Sequence, residues 1–279
     1  MKPSKALFHL CRFLLLAETV PASTSDQWPL QTFKSTPIQT PYLNVTKNGK
    51  TELGYLFFSP STDTTSHPAI YSDDGQLVWQ GPRANTSALQ PQTLDGEPVL
   101  AYWHGADITG FGFGSISILN TSYDEIYHVT LPGETETFVT VLDPQTFPSY
   151  IDIHESEITE QGTILVTAVN VTQLDLEPIG GPKDGWVMDG LFYEIDIKTN
   201  KVLFRWSTIE HLSEIPLSNS ELPFNGKGGS KTEPYEYPHL NSVAKYGDLY
   251  LISSRFMCSI FLIDKHGNVT WHLHVSLFP

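Results

Sequence analysis

The sequence predicts an all-β, propeller-like fold built from about four four-stranded units. Three observations carry the prediction. Helical periodicity is nearly absent, and short β-branched and aromatic segments alternate with turn residues instead. Two kinds of hairpin recur along the chain, and a tryptophan recurs near the outer end of the repeat. The composition agrees: 12% aromatic and 17% charged residues, with 20 Gly and 20 Pro, suit many short strands joined by turns.

Residues 54–60, GYLFFSP, form the first expected strand. Residues 69–81, AIYSDDGQLVWQG, then read as strand, turn and strand, with Asp74-Gly75 as the turn and Trp79 near the end. The design returns at 194–207 with Trp206 and at 260–271 with Trp271, and a degenerate copy lies at 116–128. A second hairpin type precedes these. Residues 154–167 align with 239–252, so that His154, Ile158 and Gly162 match His239, Val243 and Gly247. A third such start is EPVLAYWHG, 97–105.

The expected units are therefore 54–81, 89–130, 150–207 and 237–273. Residues 170–190, rich in Gly and Asp, are expected to insert a loop between the hairpins of the third unit. A two-sheet sandwich is the competing architecture. The fixed His-to-Gly spacing and the recurring Asp-x-x-Gly-x-Val-x-Trp turn favour repeated four-stranded blades.

The N-terminus places Lys2 and Lys5 before an apolar stretch from Ala6 to Ala17, and Val20-Pro21-Ala22 supplies small residues for cleavage. That is the order of a secretory leader, expected over residues 1–22, with the propeller-like domain over 23–279. His9 and Arg12 interrupt the apolar run, so an amphipathic or buried helix is the alternative. No run is long enough for a membrane span. Five Asn-x-Ser/Thr sequons, at Asn44, Asn85, Asn120, Asn170 and Asn268, accord with a secreted, N-glycosylated chain. Cys11 would leave with the leader, and Cys258 alone makes no disulfide framework. A net charge of −15 argues against nucleic acid or an anionic membrane surface as partner.

Several of these stretches, taken together, are similar to one family. GYLFFSP, YSDDGQLVWQG, DIHESEITEQGT, GGPKDGWVMDGLFYEIDIKTNKVLFRWS and PHLNSVAKYGDLYLISSR appear in order over roughly residues 36–273. They resemble the secreted, mostly fungal branch of the arylsulfotransferases. The resemblance implies a six-bladed propeller and sulfuryl transfer without a nucleotide donor or other cofactor. An aryl sulfate ester would pass its sulfuryl group to a histidine, and a phenol would then accept it. Tyr193 and Asn200 stand where the family usually has Gln and Gly. After Trp271-His272-Leu273-His274 the family continues into Gly-Gly and further blades, whereas this sequence ends at Pro279. The expectation is an incomplete ring lacking about two blades, with the nucleophilic histidine beyond residue 279. Such a chain would bind an aryl sulfate without turning it over. The alternative, from another class, is an inactive fragment acting as an extracellular binding module.

Sulfuryl transfer needs a nucleophile, cationic or hydrogen-bonding groups around the SO3 unit, and a route for a proton. His154 and His239 hold equivalent places at the starts of innermost strands, where both would aim at one axis. A structural role, bonding a neighbouring backbone group, is open for each. Asn241, two residues on from His239, would share its strand face and donate to a sulfate oxygen, or else cap the strand end. Arg255 matches an arginine that follows the family's His-x-Asn pair. It is expected to take the anion, or to bridge a core carboxylate such as Asp152 or Glu155. Glu155 itself reads as support facing away from His154. His104 is a lesser candidate for a third channel histidine. His272 and His274 share a strand face, but two ligands make half a zinc site, and no metal site is assigned. Trp79, Trp206 and Trp271 read as outer-strand packing. Gly110, Gly112 and Gly114 precede a strand and not a helix, which argues against a nucleotide loop.

Overall fold

Each expected hairpin is an antiparallel ladder in the folded chain. A computed structural model describes residues 29–61, 66–108 and 110–274. The expected leader, with Cys11, lies outside the described residues. Residues 30–41 make a small ladder of their own, β1 (Leu30–Thr32) against β2 (Gln39–Pro41).

From residue 43 onward, four sheets follow one another in sequence. Blade 1 is β3 (Tyr55–Phe58), β4 (Ala69–Ser72) and β5 (Leu77–Gln80), three strands where four were expected. Blade 2 is β6 (Thr86–Leu94), β7 (Glu97–Ile108), β8 (Phe111–Leu119) and β9 (Glu125–Val129). Blade 3 is β10 (Ser156–Ile158), β11 (Thr163–Leu174), β12 (Gly185–Asp196) and β13 (Val202–Ser207), and β14 (Tyr235–Glu236) adds in parallel to β12. Blade 4 is β15 (Leu240–Tyr246), β16 (Leu249–Ser254), β17 (Ser259–Ile263) and β18 (Val269–His274). The fold is all-β and propeller-like, with strands paired in meander order.

The repetition extends to irregularities. A register shift stands just before the outer turn of every blade, between Ile70/Tyr71, Ile118/Leu119, Glu194/Ile195 and Leu262/Ile263. A bulge at one fixed place adds twist and aims the outer strand in the same way each time.

Residues 170–190 correct the expected loop. β11 and β12 pair over all twelve residues, from Thr163↔Asp196 to Leu174↔Gly185, and close over 175–184. The β-branched residues Val169, Val171 and Thr172, the last paired with Val187, keep the strand pattern going through this stretch.

Neighbouring blades are joined by the outer strands. Two apolar side chains at i and i+2 share the face turned toward the next blade. Tyr127 and Val129 enter a core with Ile164, Val166, Tyr193 and Ile195 of blade 3. Phe204 and Trp206 do the same with Tyr250, Ile252, Phe261 and Ile263 of blade 4. Trp79 packs with Leu100, Tyr102 and Leu119 of blade 2 and stacks on Tyr123 at 4.8 Å. Trp206 is also tied by a hydrogen bond, its Nε1 donating to Gly267 O at 3.0 Å. Trp79 and Trp206 thus pack as expected, whereas Trp271 and its neighbour Leu273 on the same face are 50% and 46% exposed.

Polar links complete these junctions. Asn200 adopts a left-handed backbone (φ 58°), and its side chain accepts from Thr130 N and donates to His128 O. Asparagine here therefore provides the turn geometry of a glycine and a bridge to blade 2. Between blades 3 and 4, Glu194 accepts from Lys245 Nζ with both oxygens at 2.7 Å, from Tyr250 Oη at 2.5 Å and from Thr163 Oγ1 at 2.7 Å.

The glycines of β8 serve packing. The Trp103 indole lies over them and donates Nε1 to Ile151 O at 2.9 Å. A Cβ on Gly112 would fall 2.1 Å from Ile153 Cγ2, and one on Gly114 2.2 Å from His104 O. Among the described residues, no helix is long and apolar enough to cross a membrane.

Candidate functional site

Two histidines open the inner strands of adjacent blades. His154 lies in the bend just before β10, and His239 immediately precedes β15. Each stands eight residues before a turn glycine with left-handed backbone, Gly162 (φ 74°) and Gly247 (φ 59°). Blade 2 repeats the spacing with Ala88 and Gly96, so a third copy of the position exists but carries no imidazole.

His239 is itself left-handed (φ 47°), a conformation that costs a non-glycine residue roughly 1–2 kcal/mol. The surroundings impose it. Arg255 N donates to His239 O at 3.0 Å, and the Ser254 hydroxyl donates to Pro238 O, clamping the segment onto the end of β16.

The structure brings the two imidazoles together, with ring centroids 5.0 Å apart and planes near perpendicular. Phe111, at the start of β8, contacts both, at 5.9 Å from His154 and 4.7 Å from His239. Phe256 flanks His239 at 5.2 Å. The side chain of His154 is 22% exposed and that of His239 is 5% exposed, so His239 is buried while His154 keeps some access to solvent.

Each ring is held by a carboxylate. His154 Nδ1 lies 2.5 Å from Asp152 Oδ2. Asp152 is fully buried and also accepts from Gly112 N at 2.7 Å and Thr167 Oγ1 at 3.3 Å. His239 Nδ1 pairs in the same way with Glu236, whose backbone is fixed by the β14–β12 pairing. A carboxylate only accepts, so the Nδ1 proton is committed and Nε2 is the nitrogen left for a ligand in both rings. Burial opposes charge on His154 and is the largest single influence. The hydrogen bond and charge of Asp152, aided by Glu236, outweigh it against the opposing Arg255, so His154 holds its proton above the ordinary histidine range.

Arg255 lies one residue beyond β16, in the turn 255–258, and is exposed. It was expected at the end of an apolar strand, with a core carboxylate as one possible partner. Its guanidinium makes no salt bridge among the described residues and rests 5.4 Å from the Phe256 ring centroid. The Phe256 ring it rests on flanks His239, and the guanidinium charge opposes protonation of His154.

Asn241 lies within the register shift between Leu240 and Ser242, and its Oδ1 accepts from Ser253 Oγ at 2.5 Å. Because His239 is left-handed and precedes the strand, strand alternation does not run from 239 to 241. Glu155 turns to the backbone as support: it accepts from Ser156 N and Val243 N, and burial pushes its carboxyl above the ordinary value. His104 packs at a tilt against Tyr102 and His128 instead of joining the pair. His272 meets Phe261, while His274 bonds Ser259 and Met257. Among the described residues no cluster of three or more His, Cys, Asp or Glu is placed to hold a metal.

Sequence reasoning missed Glu236, Phe111 and Phe256 and gave Asp152 only a salt-bridge role. The usable signal was an acidic residue two or three positions before each aligned histidine, Asp152-x-His154 and Glu236-x-x-His239.

The arrangement is two carboxylate-held imidazoles in contact, with Phe111 against both rings and a guanidinium resting on the Phe256 ring beside His239. The arylsulfotransferase (ASST) family model matches residues 90–275, about two thirds of the chain, and spans both histidines, Asn241 and Arg255. The chain belongs to the arylsulfotransferase family. The matched region of this arylsulfotransferase-family chain is blades 2 to 4. No curated protein matches it. Among solved structures, one titled "Structure of Dos1 propeller" aligns with a TM-score of 0.40 and 9% identity, covering 78% of this chain and 47% of that one. The chain thus spans about half the length of that structure.

Proposed function

We propose that the space between His154, His239 and Arg255 receives the sulfuryl group of an aryl sulfate ester, and that the chain serves sulfuryl transfer to a phenol. The supporting observation is the juxtaposition of two carboxylate-held imidazoles, 5.0 Å apart, with a guanidinium beside them. Rings at that separation reach different oxygens of one SO3 unit, and Arg255 neutralises its charge. Phe111 and Phe256 offer the aryl ring an apolar wall. Asn241 keeps its amide N–H2 as a donor while its oxygen accepts from Ser253.

In the transfer expected of the full-length family, the nitrogen of a histidine other than His154 and His239 bonds to sulfur as the sulfur–aryl oxygen bond breaks, and the aryl oxide leaves and takes up a proton. A phenol oxygen then displaces the imidazole and gives up its own proton. His154 and His239 bind and polarise the sulfuryl group in this scheme. Secretion through the leader at 1–22 and N-glycosylation belong to the same reading. Asn44, Asn85 and Asn268 are exposed, while the Asn170 side chain is bonded to Val139 N and Thr137 O.

The test is calorimetric binding of 4-nitrophenyl sulfate to the full chain, with 4-nitrophenol release into added phenol followed in parallel. A charge-assisted hydrogen bond is worth about 1.5–3 kcal/mol, so His239→Ala and Arg255→Ala are each expected to weaken binding by about 10- to 100-fold. Unchanged affinity in both variants refutes the site.

A further inference from the structure

Asp152 has more hydrogen-bonding work than a structural carboxylate at a strand end requires. Its Oδ1 accepts from Gly112 N at 2.7 Å, which anchors it to β8 of blade 2. Its Oδ2 is shared between Thr167 Oγ1 on β11 and His154 Nδ1. Donors from two blades thus fix the carboxylate, and the carboxylate fixes the ring. Gly112 itself is required by packing, since a Cβ there would collide with Ile153.

The charged and titratable groups facing His154 come from three segments. Asp152 and Glu155 are on its own, Glu236 and His239 are on the β14–β15 segment, and Arg255 is on the turn after β16. Of these, only Asp152 is bonded to the ring.

We propose that Asp152 is a positioning residue: by accepting the Nδ1–H of His154 it fixes the ring and leaves Nε2–H as the group that can meet a sulfuryl anion. The anion part rests on the functional reading above; the positioning part does not. Two consequences follow. Neutral His154 carries its remaining proton on Nδ1. Affinity for a sulfate anion falls as the pH rises through the titration of His154, because the Nε2 proton is then lost.

The experiment combines ¹⁵N-histidine NMR with calorimetry on the full chain, using inorganic sulfate and 4-nitrophenyl sulfate as probes between pH 5.5 and 9. Asp152→Asn keeps an oxygen for Gly112 N or for the ring but removes the charge. It is expected to lower the His154 midpoint by about 1–3 pH units. The pH at which sulfate affinity falls should move with it, while the low-pH affinity changes by less than about threefold. A merely structural role for Asp152 would lower affinity at every pH and leave the midpoint in place, and that result overturns the proposal. The Nε2–H tautomer for neutral His154 in the wild type overturns it too, and needs no variant. If the wild type binds neither probe but Asp152→Asn moves the midpoint, the functional reading fails and the positioning of His154 stands.

Discussion

Asp189 links the buried chemistry of blade 3 to a measurable pH dependence of stability. It sits on β12 with its side chain buried, accepting from Ser207 Oγ at 2.6 Å and from Ile209 N at 3.2 Å. Burial is the dominant influence, and the two hydrogen bonds offset it only in part, so its carboxyl is pushed from 3.8 up to about 7. The folded state therefore binds this proton more tightly than the unfolded chain. The stabilisation is complete below the unfolded value and is lost as the pH rises through about 7. A shift of about three pH units corresponds to a loss on the order of 4 kcal/mol, of which roughly 3 kcal/mol falls between pH 5 and pH 8. Asp189→Asn removes the ionisation and keeps an acceptor for Ser207 or Ile209. Urea unfolding at pH 5 and pH 8 reads the effect. The variant should gain about 3 kcal/mol relative to wild type across that interval, with other titrating groups cancelling in the comparison. An equal change with pH in the two proteins would refute the reasoning.

Two further predictions concern the joints between blades. Trp206→Phe keeps most of the ring but loses the bond to Gly267 O and should cost about 1 kcal/mol in chemical denaturation, while Trp206→Ala should cost about 3–5 kcal/mol. A cost of Trp206→Ala near zero would show that the outer strand of blade 3 does not hold blade 4. Lys245→Met strands the buried charge of Glu194 and should destabilise by about 3–5 kcal/mol, whereas adding Glu194→Gln should recover much of that loss. If the double variant is no more stable than the single, the penalty lies in packing and not in the unpaired charge.

Much of the blade plan was legible because its signals are local. Turn chemistry such as Asp74-Gly75 and Asp264-x-x-Gly267 fixes hairpins through a few residues, and alternation fixes which face is buried. Blade 1 shows where local reading stops. Its β3 has a strand pattern on either reading, and nothing near Tyr55 tells whether a fourth strand pairs beyond it. The stretch 170–190 misled for a related reason. Gly180, Gly181 and Gly185 are turn residues by type, but the long β11–β12 ladder depends on pairing partners some ten to thirty residues apart. The outer-strand tryptophans show a third limit. Register places Trp271 level with Phe204 and Trp79, because it pairs with Leu262 as Phe204 pairs with Glu194 and Trp79 with Ile70. Trp206 instead corresponds to Leu273, two residues further along the outer strand, so a shared residue type near the strand end does not mark one structural position.

The site was legible to the extent that it is built by repetition. His154 and His239 could be paired from sequence because both stand eight residues before a turn glycine, and the fold turns that shared offset into two rings 5.0 Å apart. What gives the rings their chemistry is not part of the repeat. Asp152 precedes its histidine by two residues and Glu236 by three, the first fixed by blade 2 through Gly112 N and the second by β12 through the β14 pairing. Phe111 reaches both histidines from about forty residues or more away in sequence. Each dyad therefore draws its support from a different element while leaving the same atom, Nε2, without a carboxylate partner. Equivalent positions with unequal support are the means by which a repeat acquires two distinguishable groups. His154 is held with its proton by Asp152 and Glu236, and the ring of His239 is set by the strained backbone beneath it.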